Sequence, residues 1–325
     1  MTTKKIKIGV IFGGKSAEHE VSINSAKNII NALSKDKYEV APIKIGKDGK
    51  IPFNKLMKLD VAFPIIHGPY GEDGSLQGVL KMLDIPFVGP SVLGSAVGMD
   101  KDVMKRLLNE AGIKNAKSIV LKYNQKLTFE KAKSVLGLPM FVKPANLGSS
   151  VGVSKVQSKK DFTAALSEAF KYDSKILIEE MILGRELECA VLGNERPVAS
   201  PIGEVIMNTS SFYSYDAKYI ESDGAITEIP AKNLSKSDIK KLQDTAIKVF
   251  QTLCCEGLSR VDMFLTKKGE IYVNEINTLP GFTDISMYPK LFELKGINKT
   301  ELIDKLVLLA IERFERDNQL QNSVS

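Results

Sequence analysis

The sequence predicts an α/β protein: an open parallel sheet in the first hundred residues, then smaller α+β units. Three observations predict it. Up to residue 99, short apolar runs alternate with amphipathic helical stretches, the pattern of a parallel sheet. Beyond it, apolar runs such as LPMFV and VGVSKV, or VDMFL and IYVNE, flank Gly-containing turns. Finally, 325 residues with 43% hydrophobic and 26% charged side chains are ordinary for a folded protein but long for one core. The expected division is 1–99, 100–187 and 188–325.

The elements follow in order. KIGVIF is a buried strand, GGKS a turn, and Ala17 to Leu33 a helix with Val21, Ala26, Ile29, Ile30 and Leu33 on one side. YEVAPIKI, LDVAFPII and IPFVG are strands, with SLQGVLKML helical between the last two. Asp100 caps a helix whose stripe is Val103, Met104, Leu107, Leu108 and Ala111, and Gly112 ends it. SIVLKY, the capped helix TFEKAKSVLG, LPMFVKPA, VGVSKV, a helix from Ser158 and KILIEE complete a second unit. ELECAVLG opens the third. A polar stretch, NTSSFYSYDAKYIESDG, precedes a helix with Ile239, Leu242, Ala246, Val249, Phe250 and Leu253 inward, and a hairpin and the helix ELIDKLVLLAIERF close the chain.

The bulk properties exclude several classes. A formal charge of +6 with scattered lysines suits a small polyanion such as a nucleotide, not a nucleic-acid tract, which would cluster Lys and Arg among aromatics. No span approaches the ~18 apolar residues of a membrane helix, so a cytoplasmic protein with no membrane partner is expected. Cys189, Cys254 and Cys255 have no metal or disulfide spacing and read as core thiols in a reducing compartment.

Gly9, Gly14, Lys15 and Ser16 satisfy the pattern GxxxxGK[ST] of a phosphate-binding loop. The match is rejected, because the residues that should wrap phosphates include Val10, Ile11 and Phe12, the interior of a strand. What survives is a strand, a Gly-Gly turn and a helix with Glu18 in its first turn. That acid is either a helix-dipole partner or a crevice-facing holder of a small cationic group. Nothing local chooses between the two.

KPANLGSSVG, Lys143 to Gly152, connects two strands of one sheet. It is either a tight hairpin or a run of exposed N–H and hydroxyl groups suited to phosphate, with Lys143 as a point charge. The strongest local signal is LSRVDMFLTKKGEIYVNEINTLPG. A two-residue turn at Lys268 and Gly269 places Asp262 opposite Glu275 and Arg260 opposite Asn277, all on one face, with opposed Cβ atoms about 4.5–5.5 Å apart. Opposed carboxylates repel unless a cation lies between them. Oxygen-only ligands suit Mg²⁺ bound jointly with phosphates, whereas the alternative is a salt network around Arg260.

This hairpin, HGPYGEDGSLQG at His67 to Gly78, and KPANLGSSVG together resemble the ATP-grasp ligases, and most closely the D-alanine:D-alanine ligases. Agreement runs from GGKSAEHEVS to NTLPGFTD near residue 284. The resemblance implies an ATP-grasp fold and an ATP-dependent joining of two D-alanines through an acyl phosphate, serving cell-wall peptidoglycan. By similarity, Lys101, Lys143 and Ser150 meet the phosphates, Glu179, Glu180, Met181 and Ile182 read adenine, and Glu186 holds the ribose. Asp262, Glu275 and Asn277 match ligands of two Mg²⁺ ions, for which Mn²⁺ is an alternative. Glu18, with His67, matches the site of the first ammonium, and Ser149 and Tyr219 complete a triad with Glu18. Arg260 and the N–H of Gly281 match oxyanion stabilisers, Lys218 reaches the γ-phosphate from a polar cover, and Ser286 with Met287 meets the second substrate. Tyr219 favours a dipeptide over an ester product, and a homodimer is the family expectation. Leu147 stands where relatives often carry a charged residue, which removes a contact to the cover. A ligase for another acid and amine, or a non-enzymatic ATP sensor, would share the ATP residues but not this full set.

Overall fold

The computed structural model describes residues 4–207 and 225–320, and all statements below concern those residues. Strands β1 (Ile6–Gly13), β2 (Tyr38–Ile45) and β3 (Val61–Pro64) form a parallel sheet in the order β2-β1-β3. Helix α1 (His19–Ala32) crosses from β1 to β2, and α2 (Phe53–Leu56), α3 (Ser75–Met82) and α4 (Val92–Met99) follow. The expected strand IPFVG shrinks to one bridge, Ala62 to Phe87. Its neighbours Pro86 and Gly89 explain why: one lacks an N–H and the other takes φ +101°. Gly9 lies within β1 and only Gly13 and Gly14 turn, at φ +96° and +92°, so the phosphate-loop pattern is a strand here.

The second unit begins at α5 (Lys101–Glu110), where Asp100 Oδ1 accepts from the N–H groups of Asp102 and Val103 at 3.1 Å each. A four-stranded antiparallel sheet, β4-β7-β5-β6, is built from β4 (Ser118–Lys122), β5 (Met140–Pro144), β6 (Ser154–Val156) and β7 (Lys175–Glu180). Helices α6 (Phe129–Leu136), capped by Thr128, and α7 (Lys159–Ala169), entered through a Ser158–Asp161 capping box, cover its apolar side. KPANLGSSVG is therefore the β5–β6 connection, with Ser149 and Ser150 at φ +53° and +58° and Gly152 at φ +70°.

The third sheet has the order β10-β9-β8-β11-β12, from β8 (Gly184–Gly193), β9 (Val198–Met207), β10 (Ala225–Glu228), β11 (Gly257–Thr266) and β12 (Ile271–Asn277). Helix α8 (Lys236–Thr252) packs Leu242, Ala246, Val249 and Phe250 onto Leu187, Cys189, Val261 and Met263 on one face. The other face is divided. At one end Ala190, Leu192 and Leu258 join the core of the first sheet and helices α9 (Met287–Leu294) and α10 (Lys299–Asn318). At the other, Glu186, Glu188, Arg260 and Asp262 point the same way, because residues two apart share a face. The polar end is where the site lies.

Two expectations about the interior need correction. Cys189 and Cys255 are buried, but Cys254 is exposed, at φ +53° in the turn after α8. In α1 the buried row is His19, Ser22, Ser25, Ala26 and Ile29, whereas Val21 is only half-buried. Buried hydroxyls replace it because they bond backbone groups of neighbouring loops.

Candidate active site

A cavity of about 460 Å³ opens between the two antiparallel sheets. Lys143, Glu179, Glu180, Met181 and Ile182 line it from β5 and β7, and Glu186, Asp262 and Glu275 from the third sheet. Lys101, Gly148 and Ser150 complete the wall.

The expected pairing in the hairpin is present, by a different route. Asp262 faces Glu275 and Arg260 faces Asn277. The turn, however, holds three residues, Lys267 to Gly269, not two: Gly269 N donates to Thr266 O and Thr266 N to Glu270 O, each at 2.9 Å. The one-residue shift that this causes is undone by a bulge beside Asp262 and Met263, where Asn274 is the extra residue. Glu188 of β8 lies on the other side of Asp262, so three carboxylates stand in one row across β8, β11 and β12.

Cations answer that row. Arg260 donates to Asp262 through Nε at 2.7 Å and Nη2 at 2.6 Å, and its Nε is 3.0 Å from Glu188 Oε2. Burial opposes its charge, but Asp262 and Glu188 outweigh that and raise the guanidinium well above its ordinary range. Lys101, 7% exposed, reaches Glu275 at 3.3 Å and the Leu147 carbonyl at 2.7 Å.

Beneath the cavity a second cluster holds Lys143. Its Nζ is 2.6 Å from Glu179 Oε2, and Lys105 Nζ is 2.9 Å from Glu179 Oε1. Burial would raise Glu179, but the two ammonium groups hold it below its usual value, while burial lowers Lys105. The Glu180 N–H donates to Lys117 O at 3.0 Å, and Glu180 Oε1 accepts from Lys117 N at 2.8 Å. Met181 and Ile182 lie past the end of β7.

Glu18 is the N-cap residue of α1, at the carboxyl end of β1. Ser149 Oγ donates to its Oε1, joining the β5–β6 loop to the first sheet. Glycine is required nearby: a Cβ on Gly68 would lie 3.3 Å from Glu18 Oε2, at a backbone φ of +76°. His67, 4% exposed, stands between Glu72 Oε1 at 3.4 Å from Nδ1 and Ser25 Oγ at 3.4 Å from Nε2. Burial pulls its pKa down, but the Glu72 bond and the charges of Glu18 and Glu72 win, and the net direction is up.

Gly281 packs beside Ser286, Ser25 and His67; a Cβ there would meet Ser286 Oγ at 2.9 Å. Ser286 Oγ accepts from Thr283 N at 2.9 Å and lies 2.8 Å from Thr283 Oγ1. Met287 departs from expectation, since its thioether packs into the core over Gly203 and is 4% exposed. Lys218 and Tyr219 lie outside the described residues, between β9 and β10, whose strands pair directly.

Sequence reasoning missed Glu72, Lys105, Glu188 and Ser25. Glu72 sits five residues after His67 and Ser25 seven after Glu18, spacings that a loop and a helix make adjacent. Glu188 and Lys105 had no local signal, because strand order and helix docking bring them in.

An antiparallel sheet pair closing on a cavity lined by Lys101, Lys143 and an acidic row is the architecture of an ATP-grasp ligase. Comparison with known proteins gives the family. The profile described as "D-ala D-ala ligase C-terminus" matches residues 107–308, and "D-ala D-ala ligase N-terminus" matches 7–55 and 51–90. The D-alanine–D-alanine ligase of Oceanobacillus iheyensis is 52% identical, covering 99% of each chain. The D-alanine–D-alanine ligase structure from Coxiella burnetii superposes with a TM-score of 0.87 at 37% identity, over 98% of this chain and 97% of that one. The Bacillus anthracis D-alanine–D-alanine ligase complexed with ATP gives 0.83 at 32% identity, over 96% and 99%. The chain belongs to the D-alanine–D-alanine ligase family.

Proposed function

We propose that this enzyme phosphorylates the carboxylate of one D-alanine with ATP and joins it to the amine of a second, releasing ADP and phosphate. The product, D-alanyl-D-alanine, supplies peptidoglycan synthesis. The observation that carries the reading is the Glu18–Ser149 contact. It puts a carboxylate able to hold an ammonium against the loop that faces the cavity lined by Lys101 and Lys143.

The chain's residues divide the work. Lys101 and Lys143, placed beside Glu275 and Glu179, hold phosphate oxygens. Ser150 adds a hydroxyl, Met181 and Ile182 offer backbone groups to the adenine edge beside Glu179 and Glu180, and Glu186 takes the ribose. Glu18, helped by His67, orients the first D-alanine, while Ser286 and the N–H of Met287 hold the carboxylate of the second. Arg260 and the Gly281 N–H stabilise the oxyanion, a contribution of about 10²–10³ in rate per donor. Lys218 and Tyr219 keep their assigned places in the cover on sequence grounds. Such a cover protects an acyl phosphate from water.

Asp262, Glu275 and Asn277 fit divalent cations by donor chemistry: hard oxygens on one face, with no histidine or thiolate. Among the described residues no group of three His, Cys, Asp or Glu side chains gathers at metal-binding distance. When bound, two Mg²⁺ ions, or Mn²⁺ in their place, would offset phosphate charge. We also read the boundaries at residues 99 and 187, a homodimer and a cytoplasmic location as belonging to this function.

Phosphate release with ATP tests the proposal. Release is expected with D-alanine and not with L-alanine or D-lactate as the sole acceptor and donor; equal release with L-alanine sinks it. Asp262→Asn should raise the Mg²⁺ concentration needed for half-maximal rate and lower turnover.

A further inference from the structure

Away from the cavity, at the start of β7, a polar clasp joins the two elements that carry Lys101 and the β5–β6 loop. Asp173 Oδ2 accepts from the Asn146 backbone N–H at 2.8 Å and from Asn146 Nδ2 at 2.9 Å. Its Oδ1 accepts from Lys175 N at 3.0 Å. One carboxylate thus fixes the root of the loop to the start of β7, an interior strand of the sheet. The Lys175 carbonyl accepts from Ala145 N at 3.0 Å, extending the β5–β7 ladder by one step into that root.

The Lys175 side chain turns the other way. Its Nζ donates to Asp100 Oδ1 and Oδ2 at 2.8 and 2.5 Å and to Asp102 Oδ2 at 3.3 Å. Asp100 caps α5, and Lys101 is the first residue of that helix. The Lys101 N–H donates to Ala145 O at 3.0 Å, and its Nζ reaches Leu147 O. Helix start and loop root are therefore held by the same short segment, Asp173 to Lys175.

We infer that Asp173 and Lys175 are positioning residues for ATP: Asp173 sets the loop that carries Ser149 and Ser150, and Lys175 sets the helix end that presents Lys101. This rests on the reading that Lys101 and the loop meet the phosphates. Both residues are half-buried and line a separate, open cavity with Asn146, so substituting them opens no apolar core. Hydrogen bonds to a charged acceptor are strong enough that loss of the Asp173 pair should weaken ATP binding about tenfold.

The experiment compares Asp173→Ala, Asp173→Asn and Lys175→Met with Lys101→Met, measuring KM for ATP, KM for each D-alanine, kcat and thermal midpoint. Asp173→Ala and Lys175→Met are expected to raise KM for ATP about tenfold while KM for the second D-alanine, which is read at Ser286 away from the loop, stays unchanged. Asp173→Asn should fall between wild type and Asp173→Ala, because its amide oxygen still accepts from Asn146 while its NH₂ opposes Lys175 N. The inference is overturned if Lys101→Met raises KM for ATP and the Asp173 and Lys175 variants do not. It is equally overturned if all KM values rise together with a fall in midpoint, the mark of a purely structural role. Should Lys101→Met leave KM for ATP unchanged, the phosphate reading itself fails and the inference goes with it.

Discussion

His67 shows at the scale of one residue how burial and partners compete. Burial alone would keep the imidazole neutral, yet Glu72 and the charge of Glu18 raise its pKa above the ordinary value near 6.5. Glu72 is itself pushed up by burial and by Glu18, and pulled back by the bond to His67. In Glu72→Gln the negative charge that favours the imidazolium is lost, even where the amide oxygen still accepts from Nδ1, so His67 titrates at lower pH. If His67⁺ orients D-alanine, the alkaline rise in KM for the first D-alanine should begin at lower pH in the variant, read from a pH series of initial rates. An unchanged profile removes His67 from substrate binding. The role was not legible from HGPYGEDG alone, where a histidine and an acid five residues apart need a specific loop path before they touch.

At the scale of the element, α1 organises three loops through one polar row. Ser22 Oγ accepts from Gly13 N at 2.8 Å and donates to Ile65 O at 2.5 Å. Ser25 Oγ accepts from Phe282 N at 3.2 Å, and Asn28 Nδ2 donates to Phe282 O at 2.9 Å. With Glu18 at the helix start, these positions recur every three or four residues and so share a face. Ser22→Ala leaves a buried N–H and a buried carbonyl without their shared hydroxyl, and should lower unfolding free energy by about 1–3 kcal/mol in a denaturant titration. A midpoint equal to wild type would show that water replaces the hydroxyl. Helix and strand existence was legible from periodicity and caps: Asp100, Thr128 and Ser158 all cap as their residue types suggest. The buried serines were not, because a hydrophobic-stripe argument assigns polar residues to solvent, and only neighbouring loops reveal which backbone groups need them.

At the scale of the whole molecule, the first sheet and the C-terminal helices share one core. Phe63 stacks edge-on against Phe282 with centroids 5.9 Å apart, and Arg313 of α10 donates to Phe87 O at 2.8 Å and to Gly89 O. The same seam carries Asp304, bonded to Tyr38 and to Lys37 at 2.8 Å. Burial would raise the Asp304 carboxyl, but Lys37 and Tyr38 hold it below its ordinary value. Because the folded pKa is the lower one, Asp304 adds stability above the unfolded value near 3.9, and that addition is lost as pH falls through the folded pKa. Asp304→Asn should therefore lower the thermal midpoint at pH 7, with the gap to wild type narrowing as pH falls below the unfolded value near 3.9. A gap of constant size across that range would mean that the seam depends on packing and not on the charge.

By itself the chain determined the fold class, the order of elements, the acidic hairpin and the family resemblance, because these rest on local periodicity, turn chemistry and long contiguous motifs. It also pointed to Asp262 facing Glu275, although by a two-residue turn that does not form. Tertiary structure alone decided that a bulge at Asn274 restores the register, that Glu188 joins the acidic row, and that the Met287 side chain belongs to the core. It alone brought Asp173 and Lys175 behind the β5–β6 loop. The physical reason is sequence separation: side-chain alternation and helical spacing act over a few residues, whereas strand order and helix docking are settled by which faces the whole chain can bury together.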